Sequence, residues 1–380
     1  MDFHFDADQR AFANSAQSLF ADHCSDTQLC DHDAAGAPFM ESLWPLCVLG
    51  GLHSIVLAER DGGLGLGMTD LMAVLEQQGA ALALVPLAEH QLAAGALARF
   101  APALQQRVLQ AAAGECMLTL SLDGTRDALG LRLRARLGQD GLRVDGVAAA
   151  VPLGAQAQFA LLPVDLDGCP RLLLLDLDAA GLRRVEGTSQ HHLRLADLHC
   201  DGVRVPLASL LADGAQEWLE PRLVAAAAAL QLGVSAQQIR RAVAYVSERQ
   251  QFGRVIGSFQ LVASQMADCF IALEALRSAL SQLVYRLDAG LGCAAQALSV
   301  KVLAAQAAHL VGHKAQHVHG GIGVDIGYPI HRFLYWSRAL GASLGGPEQA
   351  LARLGSWLAD NDCLGWKYDL AEDHGAVDAV

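Results

Sequence analysis

The chain is short of positive charge. Lysine and arginine together number 27 against 40 aspartates and glutamates, a formal balance of −13. That deficit argues against nucleic acid or an anionic membrane as the main partner. An anionic ligand is still allowed where a few cations or a helix N-terminus hold it locally. Paired cysteines are missing as well. Nine cysteines are scattered singly, none in a CxxC pair. The odd count reads as thiols in a reducing compartment, so neither disulfides nor structural zinc are expected. The most apolar run, "LVAAAAAL" at 223–230, is too short to cross a bilayer, and the start "MDFHFDADQRAF" is acidic without a signal-peptide core. A cytoplasmic protein that engages no membrane is expected. Internal repeats and low-complexity linkers are also absent.

What is present is the composition of a globular protein. Hydrophobic residues make up 53% and charged residues 18% of 380, enough for two or three domains with substantial cores. Residues 1–115 read as a helical N-terminal domain. Leu43, Trp44 and Leu46 recur at helical spacing, and 69–82 opens with Thr69 as cap candidate. Between them lies the glycine-rich "RDGGLGLG" at 60–67. Residues 116–212 change character. "MLTLSL", "LRLRARL", "GLRVDGV", "AQFALLPV" and "PRLLLLDL" are short apolar or alternating runs bounded by Gly, Asp and Pro, as strands are. From about 216 the text is helical again, over 213–365, with helices expected to about 248 and over 259–287, 293–319 and 329–359. An acidic tail, 366–380, follows. Consecutive strands between two helical regions predict an α+β chain with an antiparallel middle domain.

Two stretches carry chemistry. In "QHVHGGIGV", 316–324, His309, His313 and His317 share a helix face at intervals of four, with His319 beyond. Zinc sites usually add Cys or carboxylate ligands. No carboxylate lies between 289 and 324 and Lys314 intrudes, so no metal site is expected. The phosphate reading is better: Gly320 and Gly321 after a helix allow φ > 0 and expose N–H groups to a diphosphate, although a double glycine can also be a simple C-cap. The second stretch is "ERQQFGRVIGSFQ", 248–260. There Arg249 can pair with phosphate, Phe252 can lie against a planar ring, and Gln260 opens the next helix.

These two motifs, with "DGGLGLG…VLEQQG" at 61–79, resemble the acyl-CoA dehydrogenase family in order and spacing over nearly the whole chain. The resemblance implies an N-terminal helical domain, a middle antiparallel β domain and a C-terminal four-helix bundle. It implies an FAD flavoprotein that removes two hydrogens from Cα and Cβ of an acyl-CoA substrate and passes electrons to an electron-transfer flavoprotein or similar acceptor. In this family the arginine–phenylalanine motif and the double-glycine loop hold the ADP half of a neighbouring subunit's FAD. The matching positions here are Arg249, Phe252, Gln260, Gly320 and Gly321, and the usual cofactor-binding glutamine position falls on His317.

The chain departs from the family elsewhere. The position of the usual catalytic glutamate falls on Gly345, and glycine accepts no proton. The alternative base position, near the start of the helix ending in the arginine motif, falls on Leu223. Glu220 lies about one turn earlier and is the nearest candidate base, unless it is a surface acid at a helix start; Glu348 is a weaker candidate. The flavin-facing segment appears as "SLDGTRD", 121–127, and the usual tryptophan–x–threonine as Ala150-Val151-Pro152. Elements offered to a neighbour's FAD are kept while elements serving the chain's own flavin are lost. That pattern resembles the paired, α₂β₂ acyl-CoA dehydrogenases of bacterial steroid degradation. It implies a tetramer in which a homologous subunit is the partner and the substrate is a bulky CoA thioester. A self-sufficient homomer with a relocated base and a non-catalytic scaffold are the alternatives.

Overall fold

A computed structural model describes residues 6–123, 126–127 and 130–361. The acidic tail at 366–380 lies outside them. Six helices come first: α1 (Ala7–His23), α2 (Asp26–Ala35), α3 (Trp44–Leu49), α4 (Met68–Ala81), α5 (Leu87–Phe100) and α6 (Gln105–Ala112). The strands follow: β1 (Leu118–Leu120), β2 (Arg126–Asp127), β3 (Gly130–Leu131), β4 (Leu133–Gly138), β5 (Gly141–Pro152), β6 (Phe159–Leu166), β7 (Cys169–Asp176), β8 (Leu182–Thr188) and β9 (Arg194–Val205). Then come α7 (Ala215–Glu248), the hairpin β10 (Gln250–Gln251) and β11 (Arg254–Val255), and α8 (Gln260–Asp288), α9 (Ala294–His319), α10 (Ile330–Ala342) and α11 (Gly346–Asp360). This is the α+β order expected from the sequence.

Contacts group the chain into two units that do not follow chain order: residues 31–67 with 84–223, and residues 1–30, 68–83 and 224–380. The first unit is built on a seven-stranded sheet, ordered β1-β6-β4-β5-β9-β8 with β7 beside β6. Alternation explains the burial. Along β4, Leu133 and Ala135 are buried while Arg134 and Arg136 face out. Leu133, Val144, Val151, Leu162, Val164, Leu198 and Val203 join one core, each such residue contributing about 1.5–3 kcal/mol when fully buried. Most pairings are antiparallel, as expected, but β1–β6 and β4–β6 are parallel. Partner choice between strands distant in sequence leaves no local signature.

In the second unit α9 is the hub. It is apolar along much of its length because α8, α10 and α11 pack on it. Helices α4 and α7 cross at two glycines. A Cβ on Gly79 would overlap the Leu230 carbonyl, and one on Gly233 the Glu76 carbonyl. Two local expectations change. Thr69 does not cap α4 with its own side chain. The Asp288 carboxylate, at the end of α8, accepts N–H bonds from Met68 at 2.6 Å and Thr69 at 3.0 Å, and the Thr69 hydroxyl donates to it at 2.6 Å. The single helix expected over 329–359 is broken into α10 and α11. Leu344, Gly345 and Gly346 all have positive φ, and buried Lys301 on α9 donates to the Leu340 and Gly341 carbonyls at 3.1 Å each, ending α10.

Candidate functional site

The site residues of the second unit cluster at the C-terminal ends of α7 and α9. After α7, the hairpin β10–β11 turns through Phe252 and Gly253, both with positive φ (54° and 79°). A two-residue hairpin of this kind needs φ > 0 at both central positions, which is costly for a bulky side chain. The strain sets Phe252 at the tip, 92% exposed. Its ring meets Phe259 edge-on at 6.2 Å, and the Arg254 guanidinium lies 3.9 Å from the Phe259 centroid. Arg249 stands at the hairpin's base. Its N–H donates to the Tyr245 carbonyl at 2.9 Å and its carbonyl accepts from Ile256 at 2.8 Å. Its exposed guanidinium has no hydrogen-bond or ion-pair partner among the described residues. Gln260, also exposed, opens α8. Behind the hairpin is a cavity of about 410 Å³, lined in part by Val246, Ser247, Val255, Gly257, Ser258 and Met266.

The double glycine closes α9. Gly320 has φ +61°, and a Cβ on either Gly320 or Gly321 would meet nothing within 4 Å. Positive φ rather than crowding requires the glycine at 320, and the loop surface is open for close approach by a ligand. Gln316 donates its amide to the Gly323 carbonyl and so braces the loop from within. His317 is exposed. His309 and His313 are exposed too, their rings 4.5 Å apart, and among the described residues no group of three or more His, Cys, Asp or Glu is placed to hold a metal.

A contact that the sequence did not announce joins the two motifs. His319, immediately before Gly320, is buried and stacks on Tyr245, one turn before Arg249, with centroids 4.4 Å apart and planes 23° apart. Tyr328 closes the group at 5.5 Å from His319. His319 Nδ1 lies 2.7 Å from the Ala315 carbonyl, which can only accept, so the proton sits on Nδ1 and Nε2 carries a lone pair. Burial holds the ring's pKa below the usual histidine value, against the opposing pull of that bond. Burial, followed by the neighbouring Tyr245, pushes Tyr328 up. The usable signal was the period: 309, 313 and 317 share a face, and 319 falls off it.

The remaining candidates lie elsewhere along the chain. Gly345 has φ +85° and caps α11, a left-handed backbone that side chains rarely adopt. Glu348 is exposed in the first turn of α11. Glu220 lies in the first unit as defined above. It is not at a helix start, because α7 begins at Ala215, and it is half-buried just before Pro221. Leu223 is buried. In β5 the ladder shifts register between Ala148 and Val151. There Ala150 has φ +54° and donates its N–H to Asp197 at 2.7 Å, Val151 is fully buried, and the Pro152 carbonyl accepts from the Thr119 hydroxyl at 2.6 Å. Gly124 and Thr125 of the "SLDGTRD" segment lie outside the described residues.

Two family models match this chain: acyl-CoA dehydrogenase, N-terminal domain, over residues 6–115, and acyl-CoA dehydrogenase, C-terminal domain, over residues 221–357. The chain belongs to the acyl-CoA dehydrogenase family. Acyl-CoA dehydrogenase FadE27 of Mycobacterium tuberculosis is 33% identical over 334 residues, covering 85% of this chain and 89% of that protein. FadE28 of the same organism is 30% identical over 82% of this chain and 91% of its own length. Among solved structures, the ChsE4-ChsE5 complex from Mycobacterium tuberculosis contains a chain with TM-score 0.90 and 31% identity, over 95% of this chain and all of that one. A variant of the Tcur3481-Tcur3483 steroid acyl-CoA dehydrogenase gives 0.87 and 34%, over 93% and 98%. Membership of the family supports FAD-dependent oxidoreductase activity on acyl-CoA thioesters.

The two groups of candidate residues differ in what they could bind. The unpartnered Arg249, the presented Phe252 ring and the open glycine pair fit a diphosphate and a flat ring. Ala150 and Pro152 supply neither an aromatic face nor a hydroxyl for a flavin ring.

Proposed function

We propose that this chain is the subunit of a heteromeric acyl-CoA dehydrogenase that completes a homologous partner's FAD site. We further propose that the assembly is a tetramer acting on a bulky CoA thioester such as a steroid side chain. The carrying observation is the asymmetry just described: a hairpin whose free guanidinium and presented ring suit a phosphate and a flat ring, and Gly345, Ala150 and Pro152 at the positions where the resemblance expects the chain's own chemistry. Exposed apolar residues in the same unit as the hairpin support an interface: Leu261, Phe270 and Ile271 on α8, and Val324 and Ile326 after the double glycine, are 56–76% exposed. The relatives that are themselves complexes, ChsE4-ChsE5 and Tcur3481-Tcur3483, support pairing with a second homologous chain.

In this reading Arg249 pairs with the diphosphate, Phe252 lies on the adenine, and N–H groups of the Gly320–Gly321 loop donate to phosphate oxygens. Gln260 and His317 flank the same ligand as hydrogen-bonding groups. When bound, the flavin supplies the two-electron acceptor for dehydrogenation. The α-proton of the thioester goes to a carboxylate of the partner chain, since Gly345 has none to offer. Electrons leave to an electron-transfer flavoprotein or similar acceptor, and the assembly works in the cytoplasm.

A second reading, a homomer whose base is Glu220, rests on the half-buried position of that carboxyl beside Pro221. Purifying the chain alone and recording its flavin spectrum separates the two. The heteromer reading expects little or no FAD until the partner is added. One FAD per chain in the absence of a partner sinks it and favours the homomer.

A further inference from the structure

The outward face of β4, β5 and β9 carries a row of cations that nothing in the described chain neutralises. Arg136 stands opposite Arg143 across β4–β5, and Arg143 opposite Arg204 across β5–β9. Arg134 lies two residues before Arg136 on the same face, and all four are exposed. Strands are about 4.8 Å apart, so three arginines fall within roughly 10 Å. Like charges directly opposite one another destabilise a sheet. Even so, none of the four has a side-chain hydrogen bond, ion pair or ring contact among the described residues. The carboxylates in register with Arg134 are turned to backbone. Asp145 accepts from the Gly202 N–H and Asp165 from the Gly168 N–H, each at 2.7 Å. Gly202, at φ +60°, leaves the space that the Arg143 guanidinium occupies, where a Cβ would collide with it. Beside the row is a cavity of about 370 Å³ lined by Leu131, Arg132, Arg134, Gly146 and Val147.

We propose that this arginine row is a docking surface for a partner protein that presents an acidic face. The arrangement is spread over three adjacent strands and does not converge on a point, as a small anion would require. Carboxylates distributed over a protein surface match it, each able to take a guanidinium in a bidentate pair. A net charge of −13 disfavours nucleic acid. In a chain this acidic, an unpaired cationic row sets orientation and association rate for a complementary surface. The proposal stands apart from the FAD reading, since it uses no residue of the hairpin or the glycine loop.

The test measures binding of the full chain to a fluorescent glutamate-rich peptide by anisotropy at low ionic strength. Binding should weaken steeply with added salt. The triple variant Arg136→Gln/Arg143→Gln/Arg204→Gln should bind at least about tenfold more weakly, as loss of several charge-assisted contacts requires. The control pair Arg60→Gln/Arg240→Gln should bind as wild type. Equal binding by the triple variant overturns the proposal, as does inorganic pyrophosphate binding more tightly than the peptide, which would mark a small-anion site. Thermal unfolding gives an independent reading. Arg143→Gln removes the middle charge of the row and should raise Tm by about 1–2 °C. A lower Tm would mean that the row is compensated within the fold, and the docking proposal would fall.

Discussion

Truncating Arg249 to alanine in the assembled complex distinguishes a ligand contact from a structural one. Within the chain Arg249 is held only through its backbone, by the bonds to Tyr245 and from Ile256. Both survive the substitution. The guanidinium itself is exposed and unpartnered among the described residues, so the isolated chain should change in stability by no more than about 0.5 kcal/mol. The cofactor should respond differently. A hydrogen bond between a guanidinium and a phosphate contributes about 1.5–3 kcal/mol. At about 1.4 kcal/mol per factor of ten, FAD affinity should fall roughly 10- to 150-fold. The assay is flavin absorbance per complex after equilibrium dialysis against a series of FAD concentrations, with a thermal melt of the apo-chain alongside. Added salt should weaken the wild type and scarcely affect the mutant. Wild-type affinity at wild-type Tm would refute the phosphate role, and a lowered Tm with unchanged affinity would reassign Arg249 to the end of α7.

Three further outcomes are expected. Glu220→Gln in this chain should leave anaerobic stopped-flow bleaching of the flavin by an acyl-CoA nearly intact, whereas loss of a true base would slow it by roughly 10²–10⁴-fold; a collapse at constant FAD content would move the base into this chain. Asp288→Ala removes the carboxylate that caps α4 and should cost about 1–2 kcal/mol in chemical denaturation; no loss would mean that the α4 amides find other partners. His90 is fully buried, with Leu118 N–H donating to its Nδ1 and its Nε2–H donating to the Ala111 carbonyl, and burial, then His53, lowers its pKa to about 3. Its folded pKa lies below the unfolded value of 6.5, so its contribution is full above about 6.5 and is lost as pH falls toward about 3, amounting to about 2 kcal/mol by pH 5. A pH slope unchanged in His90→Gln would place that acid sensitivity in other groups.

The sequence by itself determined the helix–strand–helix order, the end of α7 near the arginine–phenylalanine motif, the glycine end of α9 and which residues stand at 345, 150 and 152; the hairpin at Phe252 was not foreseen. These are local properties: period, turn chemistry and the presence or absence of a functional group can all be read within about a dozen residues. Tertiary structure decided which distant groups complete them. The amides of α4 are capped by Asp288, 220 residues on from Met68. The break between α10 and α11 depends on Lys301 reaching carbonyls 39 and 40 residues away. The parallel pairings of β6 and the Tyr245–His319 stack that joins the two motifs are of the same kind. The sequence shows Arg134 and Arg136 at alternate positions of one strand-like run and Arg143 in the next, and only the register of β4, β5 and β9 sets Arg136, Arg143 and Arg204 side by side. A local window holds the propensity of a segment, but the partner that satisfies its hydrogen bonds and charges is fixed by which elements the core brings together.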